Sequence, residues 1–322
     1  SYGEWSALGR DVVSVNDVRE FYVEGVLKLV DVERIRSRRF KVVVDPANNV
    51  GSLTTPQLLR RLGVKVATIN SEITHVPART PEPTPESLGM LSRTVRVVNA
   101  DLGVAHDGDA DRAVFVDNEG EVLPGDRTAV LLCSHIARNR KDRTPRKVYT
   151  AVSSSTIVED YLRGLGVEVV WTKVGSVTIA REMLRHGAMA GFEENGGFMY
   201  PPHQFVRDGA MSAALMLEFL ATEGISLRDA ANSLPRRHLI KTKLPLRGRE
   251  RLGLLYEELR KAFSSGRAVD VDGIKIIGEG YWFLVRPSGT EPILRVFVEA
   301  GSKEEAEKLL NSVVSIVKQV LG

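Results

Sequence analysis

Cysteine is almost missing from this chain. Cys133 is the only one among 322 residues, so no internal disulfide can form and a reducing, cytoplasmic setting is expected. It sits in the apolar run Ala129-Val130-Leu131-Leu132-Cys133, the surroundings of a core thiol and not of a nucleophile. A large charge of either sign is missing too. The formal net charge is +3, too small to point to nucleic acid as a partner. The densest basic stretch, Arg236 to Arg251, alternates with Leu and Pro, has no aromatic interleaving, and reads as a solvated linker. No apolar run approaches the length of a membrane span, and Ser1-Tyr2-Gly3-Glu4-Trp5 does not read as a signal peptide, so no membrane partner is expected. What remains is a soluble globular composition, 43% hydrophobic and 26% charged, in a chain suited to two or three domains.

Against that background Asp107-Gly108-Asp109-Ala110-Asp111-Arg112 is the most informative stretch. Its three carboxylates alternate, and in an extended or tightly turned backbone alternate side chains point the same way. Three convergent carboxylates call for a cation, and a hard divalent ion, Mg²⁺ above all, prefers oxygen ligands. Leu102 to His106 reads as a buried strand before the loop and Ala113 to Val116 as a second after it, with Asn118-Glu119-Gly120 turning the chain back. A solvated acidic turn is the common meaning of acidic runs. Gly108 and Ala110 between the acids, and apolar strands on both sides, argue against it. An EF-hand loop fails because its sixth and twelfth positions would be Arg112 and Asn118.

The rest of the chain has a repeated grammar. Lys41 to Asp45 is a short strand, a helix runs through Leu58 to Leu62, Gly63 caps it, and Val64 to Ile69 is the next strand. Further on, Lys147 to Val152 is a strand, Ser153 to Ser155 supply a helix cap, Ile157 to Leu165 is the helix, Gly166 the stop and Val167 to Trp171 the strand. Residues 59–66 and 162–169 are nearly superimposable as text. A helix from Val177 to Arg185, a strand from Ala188 to Phe192 and a helix from Ala210 to Ala221 follow. Beyond Pro235 the pattern changes: helices over Arg249 to Phe263 and Lys303 to Leu321 flank strands over Val269 to Ile277, Tyr281 to Val285 and Ile293 to Val298. The expected fold is α/β: an α/β module over 1–124, a second over 125–234, and a small α+β domain with antiparallel strands over 235–322.

Three loops carry further chemistry. Arg286-Pro287-Ser288-Gly289-Thr290-Glu291-Pro292 has the parts of an anion nest, with Arg286 able to fork onto phosphate oxygens and Ser288 and Thr290 able to donate. An ordinary hairpin loop is the plain alternative. Glu193-Glu194-Asn195-Gly196-Gly197 ends a strand, where α/β folds bind ligands, so Glu193 and Asn195 could grip vicinal sugar hydroxyls. A simple Asn-Gly turn competes with that reading. Lys173, Gly175 and Ser176 end the preceding strand and open a helix, and face the same crevice as candidate substrate contacts.

In order and spacing, these loops resemble those of the α-D-phosphohexomutases, over essentially the whole chain. The resemblance implies that Asp107, Asp109 and Asp111 hold Mg²⁺, and that Arg112 lies beside the reacting phosphate as a catalytic residue. It implies that Glu193 and Asn195 recognise the hexose 3- and 4-hydroxyls, and that Arg286, Ser288, Gly289 and Thr290 hold the phosphate that is not reacting. Such an isomerase moves a phosphoryl group between O1 and O6 of a hexose through a phosphoserine and a hexose bisphosphate, which also serves as activator. Mannose and glucose phosphates are the first expectation and glucosamine phosphate the second. Departures from the family pattern are visible. The T-A-S-H-N-P-like loop that carries the phosphorylated serine does not occur, so the chain is expected to begin after the family's first domain and to be inactive alone. A non-catalytic phosphosugar-binding module is the alternative from another class. Asn195 stands where many members have Ser, and Ser176 where relatives often carry His or Asp.

Overall fold

A computed structural model describes residues 18–139 and 145–322; the segment from Ser1 to Trp5 lies outside the described residues. Two helices, α1 (Val18–Leu27) and α2 (Val32–Arg38), lead into β1 (Lys41–Asp45), α3 (Gly51–Arg61), β2 (Lys65–Thr68), α4 (Gly89–Val97), β3 (Leu102–Ala105) and β4 (Val114–Asp117). The four strands form one sheet in the order β2-β1-β3-β4, with β1 parallel to its two neighbours and β4 antiparallel to β3. Val42, Val43 and Val44 are all fully buried, which is why β1 reads as an unbroken apolar run: helices cover both faces of a parallel sheet. Gly63 takes φ +80 and ends α3 with its N–H on the Arg60 carbonyl, turning the chain into β2.

The second module repeats the plan. It comprises α5 (Gly125–Asn139), β5 (Lys147–Ala151), α6 (Ile157–Arg163), β6 (Glu168–Thr172), α7 (Ser176–His186), β7 (Ala190–Phe192) and β8 (Phe198–Met199). Its sheet order, β6-β5-β7-β8, and its strand directions match the first sheet position for position. The two similar stretches, 59–66 and 162–169, close the same helix and open the same edge strand in each module. One local expectation is refined. The cap position of α6 falls on Thr156, whose own side chain makes no cap bond, and the capping acceptor comes one residue earlier: the Ile157 N–H donates to Ser155 Oγ at 3.2 Å. Ser155 Oγ donates to Glu299 at 2.6 Å and Ser153 Oγ to Glu194 at 2.9 Å.

Two more helices, α8 (Gly209–Glu223) and α9 (Leu227–Asn232), complete this part. Every residue of α8 from Gly209 to Leu220 is buried, because the helix packs on α2 and α3 of the first module as well as on α5 of the second. One hydrophobic core therefore crosses both modules, from Val23, Phe40 and Phe115 to Leu132, Phe192 and Phe219. Cys133 lies inside it, fully buried, its thiol pushed up by burial. No helix among the described residues is long and apolar enough to cross a membrane.

The remainder is an antiparallel five-stranded sheet, ordered β10-β11-β12-β13-β9, with two helices. In chain order it runs β9 (His238–Pro245), α10 (Leu252–Ala262), β10 (Arg267–Val269), β11 (Ile274–Gly278), β12 (Tyr281–Pro287), β13 (Ile293–Ala300) and α11 (Lys303–Leu321). Two expectations change here. The basic stretch is no linker: residues 238–245 pair along their whole length with β13 as an edge strand. Lys241 and Lys243 line its exposed side, where edge-strand lysines discourage pairing with another chain, while Ile240 and Leu244 pack on the core. Residues 269–277 are not one strand but parts of two, folded back at Asp270-Val271-Asp272-Gly273 with Gly273 at φ +77.

One face of this sheet packs on α10 and α11 through Ile276, Val296, Leu255 and Val313. The other packs on the second module: Trp282, Leu284 and Phe297 meet Val152 and Val174. In the middle of that contact lies Lys275, fully buried. Its Nζ donates to the Ser154 carbonyl at 2.5 Å and sits 3.8 Å and 4.1 Å from the ring centres of Trp171 and Trp282. Burial pushes the amine down to about 7 against the pull of Asp126 and Glu299, and pushes Asp126 up to about 8.

These two groups give stability opposite pH slopes. Between the ordinary carboxyl range and about pH 8 the folded chain holds an Asp126 proton that the unfolded chain has released, so stability falls as pH rises. Between about 7 and the ordinary lysine value of 10.5 the unfolded chain binds a Lys275 proton that the folded chain does not, so stability rises. Lys275→Met removes the second slope. The parent's urea midpoint should climb relative to the variant's from about pH 8 to about pH 10. A constant difference between the two proteins across that window counts against a near-neutral Lys275.

Candidate active site

The Asp107–Arg112 loop joins β3 to β4 and is held by packing from below. His106, fully buried, has Nδ1 2.7 Å from the Arg112 carbonyl and Nε2 2.9 Å from Thr55 Oγ1. A carbonyl only accepts, so Nδ1 carries the proton and Nε2 accepts from the threonine hydroxyl. Burial lowers the imidazole pKa, which agrees with this neutral form. Arg79 clamps the strand ends, its Nε 3.0 Å from Asp45 Oδ2 and its guanidinium donating to the His106 carbonyl at 2.7 Å. Ala110 adopts φ +60, a conformation that L residues tolerate only where surroundings enforce it. The enforcing group is Gly209, the first residue of α8, whose N–H donates to the Ala110 carbonyl at 3.1 Å. A Cβ at Gly209 would lie 2.4 Å from the Arg112 carbonyl oxygen and 2.6 Å from His106 Nδ1.

This packing brings ligand atoms of Asp107, Asp109 and Asp111 within 4.8 Å of one another. Asp107 is buried, Asp109 exposed and Asp111 half-buried, so the cluster opens to solvent on one side. Burial raises the Asp111 pKa, Arg207 opposes it, and the other two aspartates reinforce it. Asp111 Oδ1 is buried without a hydrogen bond. An all-oxygen set with one orphaned acceptor fits a hard divalent cation. Arg112 stands beside the cluster, its Nε 3.1 Å from Asp107 Oδ2 and 3.8 Å from Asp111 Oδ1, with its far end on Glu82.

The loop at 193–197 comes from the second module but is stitched to the first. Ala113 N–H donates to the Gly196 carbonyl at 3.0 Å, and Arg112 pairs with Gly197 as an isolated antiparallel bridge. Glu193 is buried, and burial raises its carboxyl pKa against the pull of Arg207. Glu194 points away from it, to Ser153 and to Lys241 of β9 at 3.6 Å. Asn195 Oδ1 accepts from Gly197 N–H at 3.2 Å, so this oxygen closes its own turn. Gly125 backs the loop so closely that a Cβ would sit 2.5 Å from the Glu194 carbonyl oxygen.

The other two predicted loops meet each other. Gly175, at φ +128, is the N-cap of α7 and Ser176 its first residue, while Lys173 is exposed. Val174 N–H donates to Asp272 Oδ2 at 3.2 Å, and Arg286 contacts the same oxygen at 3.0 Å. Ser288 is buried, with its Oγ accepting from the N–H groups of Thr290 and Glu291 inside the loop; Gly289 and Thr290 are exposed. Arg249 donates to the Ser288 carbonyl at 2.8 Å, and Arg295 lies directly opposite Arg286 across β12 and β13. Among the described residues, the Nε atoms of Arg286 and Arg295 are buried without hydrogen bonds. Three guanidiniums around an open turn make a site for a multiply charged anion.

Sequence reasoning missed the residues that join these loops. Arg207 pairs with both Asp111 and Glu193. Its signal was the helix cap beside it: Asp208 accepts from Met211 N–H at 2.9 Å at the head of an apolar helix. Asp272 was hidden by reading its turn as strand, and Arg249 and Arg295 carried no local signal that separated them from surface cations.

Comparison with known proteins covers the same span. Phosphoglucomutase/phosphomannomutase family models match in succession: alpha/beta/alpha domain II over residues 20–120, alpha/beta/alpha domain III over 124–238 and the C-terminal domain over 249–316. A phosphoglucosamine/phosphogalactosamine mutase of Sulfurisphaera tokodaii is 49% identical over 322 residues, 98% of this chain and 70% of that protein. A phosphoglucomutase/phosphomannomutase of Thermococcus kodakarensis is 38% identical over 320 residues, 99% of this chain and 69% of that protein. The fold is shared with a phosphoglucomutase/phosphomannomutase family protein of Burkholderia thailandensis, at TM-score 0.81 and 23% identity. That match covers 94% of this chain and 64% of the Burkholderia chain.

The close approach of α8 to the metal loop predicts the effect of a single methyl group. Gly209→Ala must push the Arg112 and Ala110 carbonyls away, since both oppose the new Cβ with backbone and not with flexible side chains. Cost in stability should be about 1–3 kcal/mol, as for other overpacked sites. Divalent-cation affinity should fall about tenfold, because loosely held ligands lose preorganisation. Calorimetric titration with Mg²⁺, alongside thermal melting, checks both, and parental values in the variant would show that α8 does not position the loop.

Proposed function

Because the chain belongs to the phosphoglucomutase/phosphomannomutase family, we propose that it supplies the cation, hydroxyl and phosphate sites of a phosphohexomutase acting on hexosamine phosphates. The observation that carries the reading is the guanidinium of Arg207, which ties Asp111 of the metal loop to Glu193 of the hydroxyl loop. A cation site and a polyol site on one side chain suit a phosphoryl group travelling to a sugar oxygen. The name of the Sulfurisphaera relative, at 49% identity, puts glucosamine phosphate ahead of glucose and mannose phosphates. The second reading, glucose and mannose phosphates, is favoured by the Thermococcus relative at 38%.

In this reading Asp107, Asp109 and Asp111 hold Mg²⁺, which supplies neutralisation of phosphoryl charge when bound. Arg112 adds a fixed cation beside the same group, held in place by Asp107. Glu193, whose carboxyl is pushed up by burial against the pull of Arg207, accepts from a ring hydroxyl, and Asn195 offers its amide N–H to a neighbouring one. Lys173, Gly175 and Ser176 contribute contacts from the start of α7. Arg286 binds the phosphate at the far end of the sugar, with Ser288, Gly289 and Thr290 shaping the turn and Arg249 and Arg295 adding charge. A hexose bisphosphate fits a site with a phosphate subsite at one end and a cation at the other.

The test is binding of glucosamine 6-phosphate and glucose 6-phosphate to the 322-residue chain by calorimetry. Arg286→Ala should lose about 1.5–3 kcal/mol with either sugar phosphate, the scale of a charge-assisted contact. Asp109→Ala should abolish Mg²⁺ binding and keep the sugar phosphate. Equal affinity of Arg286→Ala and parent removes the phosphate assignment, and tighter binding of glucose 6-phosphate by the parent reverses the order of the sugars.

A further inference from the structure

Arg207 is placed to do more than pair charges. Its terminal nitrogens go to different carboxylates on different modules: one to Asp111 Oδ2, the other to Glu193 Oε2 at 2.6 Å. A planar fork held at both tips fixes the separation of the groups it holds, which a single ammonium cannot do. The stem lies across Gly197, where a Cβ would be 2.2 Å from Arg207 Cδ, so only glycine there leaves the path open. The base of the side chain is anchored by the next residue. Asp208 receives Tyr22 OH at 2.7 Å, Gln204 Nε2 at 3.0 Å and the Met211 N–H, with His203 Nε2 at 2.9 Å. Arg207 therefore has little freedom, and its side chain is only 14% exposed.

The choice of oxygen is informative. Arg207 occupies Asp111 Oδ2 and leaves Oδ1, the buried atom without a hydrogen bond, for another partner. On Glu193 it supplies the countercharge that offsets burial. We propose that Arg207 is a positioning residue shared by the two sites: it orients Glu193 for the sugar and turns Asp111 toward the cation, while its own charge holds cation affinity down. The inference rests on the functional reading above and adds to it a residue that couples the two subsites with opposite signs.

Opposite signs separate this from a merely structural role, which would weaken both ligands together. Arg207→Gln removes a cation next to the Asp cluster, so Mg²⁺ should bind about threefold or more tighter. The same change leaves Glu193 buried without a countercharge, so glucosamine 6-phosphate should bind about tenfold weaker. Arg207→Lys keeps the charge and loses the fork. Mg²⁺ affinity should stay within about twofold of the parent while sugar phosphate affinity falls. Each ligand is titrated alone by calorimetry into the 322-residue chain and both variants, and thermal melts verify that each is folded. If one variant fails to fold, the other still decides, since each has its own expected pattern. Any other pattern in a folded variant overturns the proposal, including a joint loss of both affinities. A parent chain that binds neither Mg²⁺ nor glucosamine 6-phosphate brings down the functional reading itself, which is a distinct result.

Discussion

The site depends on where one helix begins. Helix α8 is buried on every side from Gly209 to Leu220, so its position is set by packing against both α/β modules at once. Its one internal carboxylate, Glu218, is matched by His135 at 2.9 Å and by the Asp31 N–H at 2.8 Å, which lets the helix stay buried without an unpaired charge. The polar residues that the helix needs are gathered at its start. Asp208 caps it, Gly209 touches the acidic loop, and Arg207 reaches across to Asp111 and Glu193. A shift of α8 along its axis would move all three together.

Charge balance explains the arrangement around that point. Asp107, Asp109, Asp111 and Glu193 are crowded into one partly buried region, and burial favours the protonated form of two of them. Arg112 and Arg207 offset this from two sides, each through a fixed contact. Two guanidiniums against four carboxylates leave the region short of positive charge, which is the electrostatic reason a divalent cation suits it. Around Arg286 the balance is reversed. Arg249, Arg286 and Arg295 surround the turn, while Asp272 and Glu291 supply the local acids. One end of the candidate site is set up for a cation and the other for an anion.

The C-terminal sheet is held to the second module by an unusual contact for a domain surface. Lys275 is enclosed by Trp171, Trp282 and the Ser154 carbonyl, and Glu299 accepts from Ser155 and from Trp282. Glu194, next to Glu193 in the chain, joins the same region through Ser153 and Lys241. The loop at 193–197 is thus tied on one side to the acidic loop and on the other to the C-terminal sheet.

Much of this was legible in the sequence where a local rule applies. Alternating Asp107, Asp109 and Asp111 announced a convergent acidic loop because a tight turn between two strands keeps alternate side chains on one side. The matching stretches at 59–66 and 162–169 announced a repeated module because helix stop and edge strand are written in neighbouring residues. Local rules also misled. The Asp-Gly turn at 272–273 was passed over within a β-branched run, and edge strand β9 was masked by lysines that face solvent. The sequence by itself determined the repeated strand-helix-strand units and the acidic loop between two strands. Tertiary structure alone decided that one core spans both modules, that Lys275 is buried, and that Arg207, 96 residues along the chain from Asp111, joins it to Glu193. Those contacts arise from packing between distant segments, and no spacing within either segment encodes them.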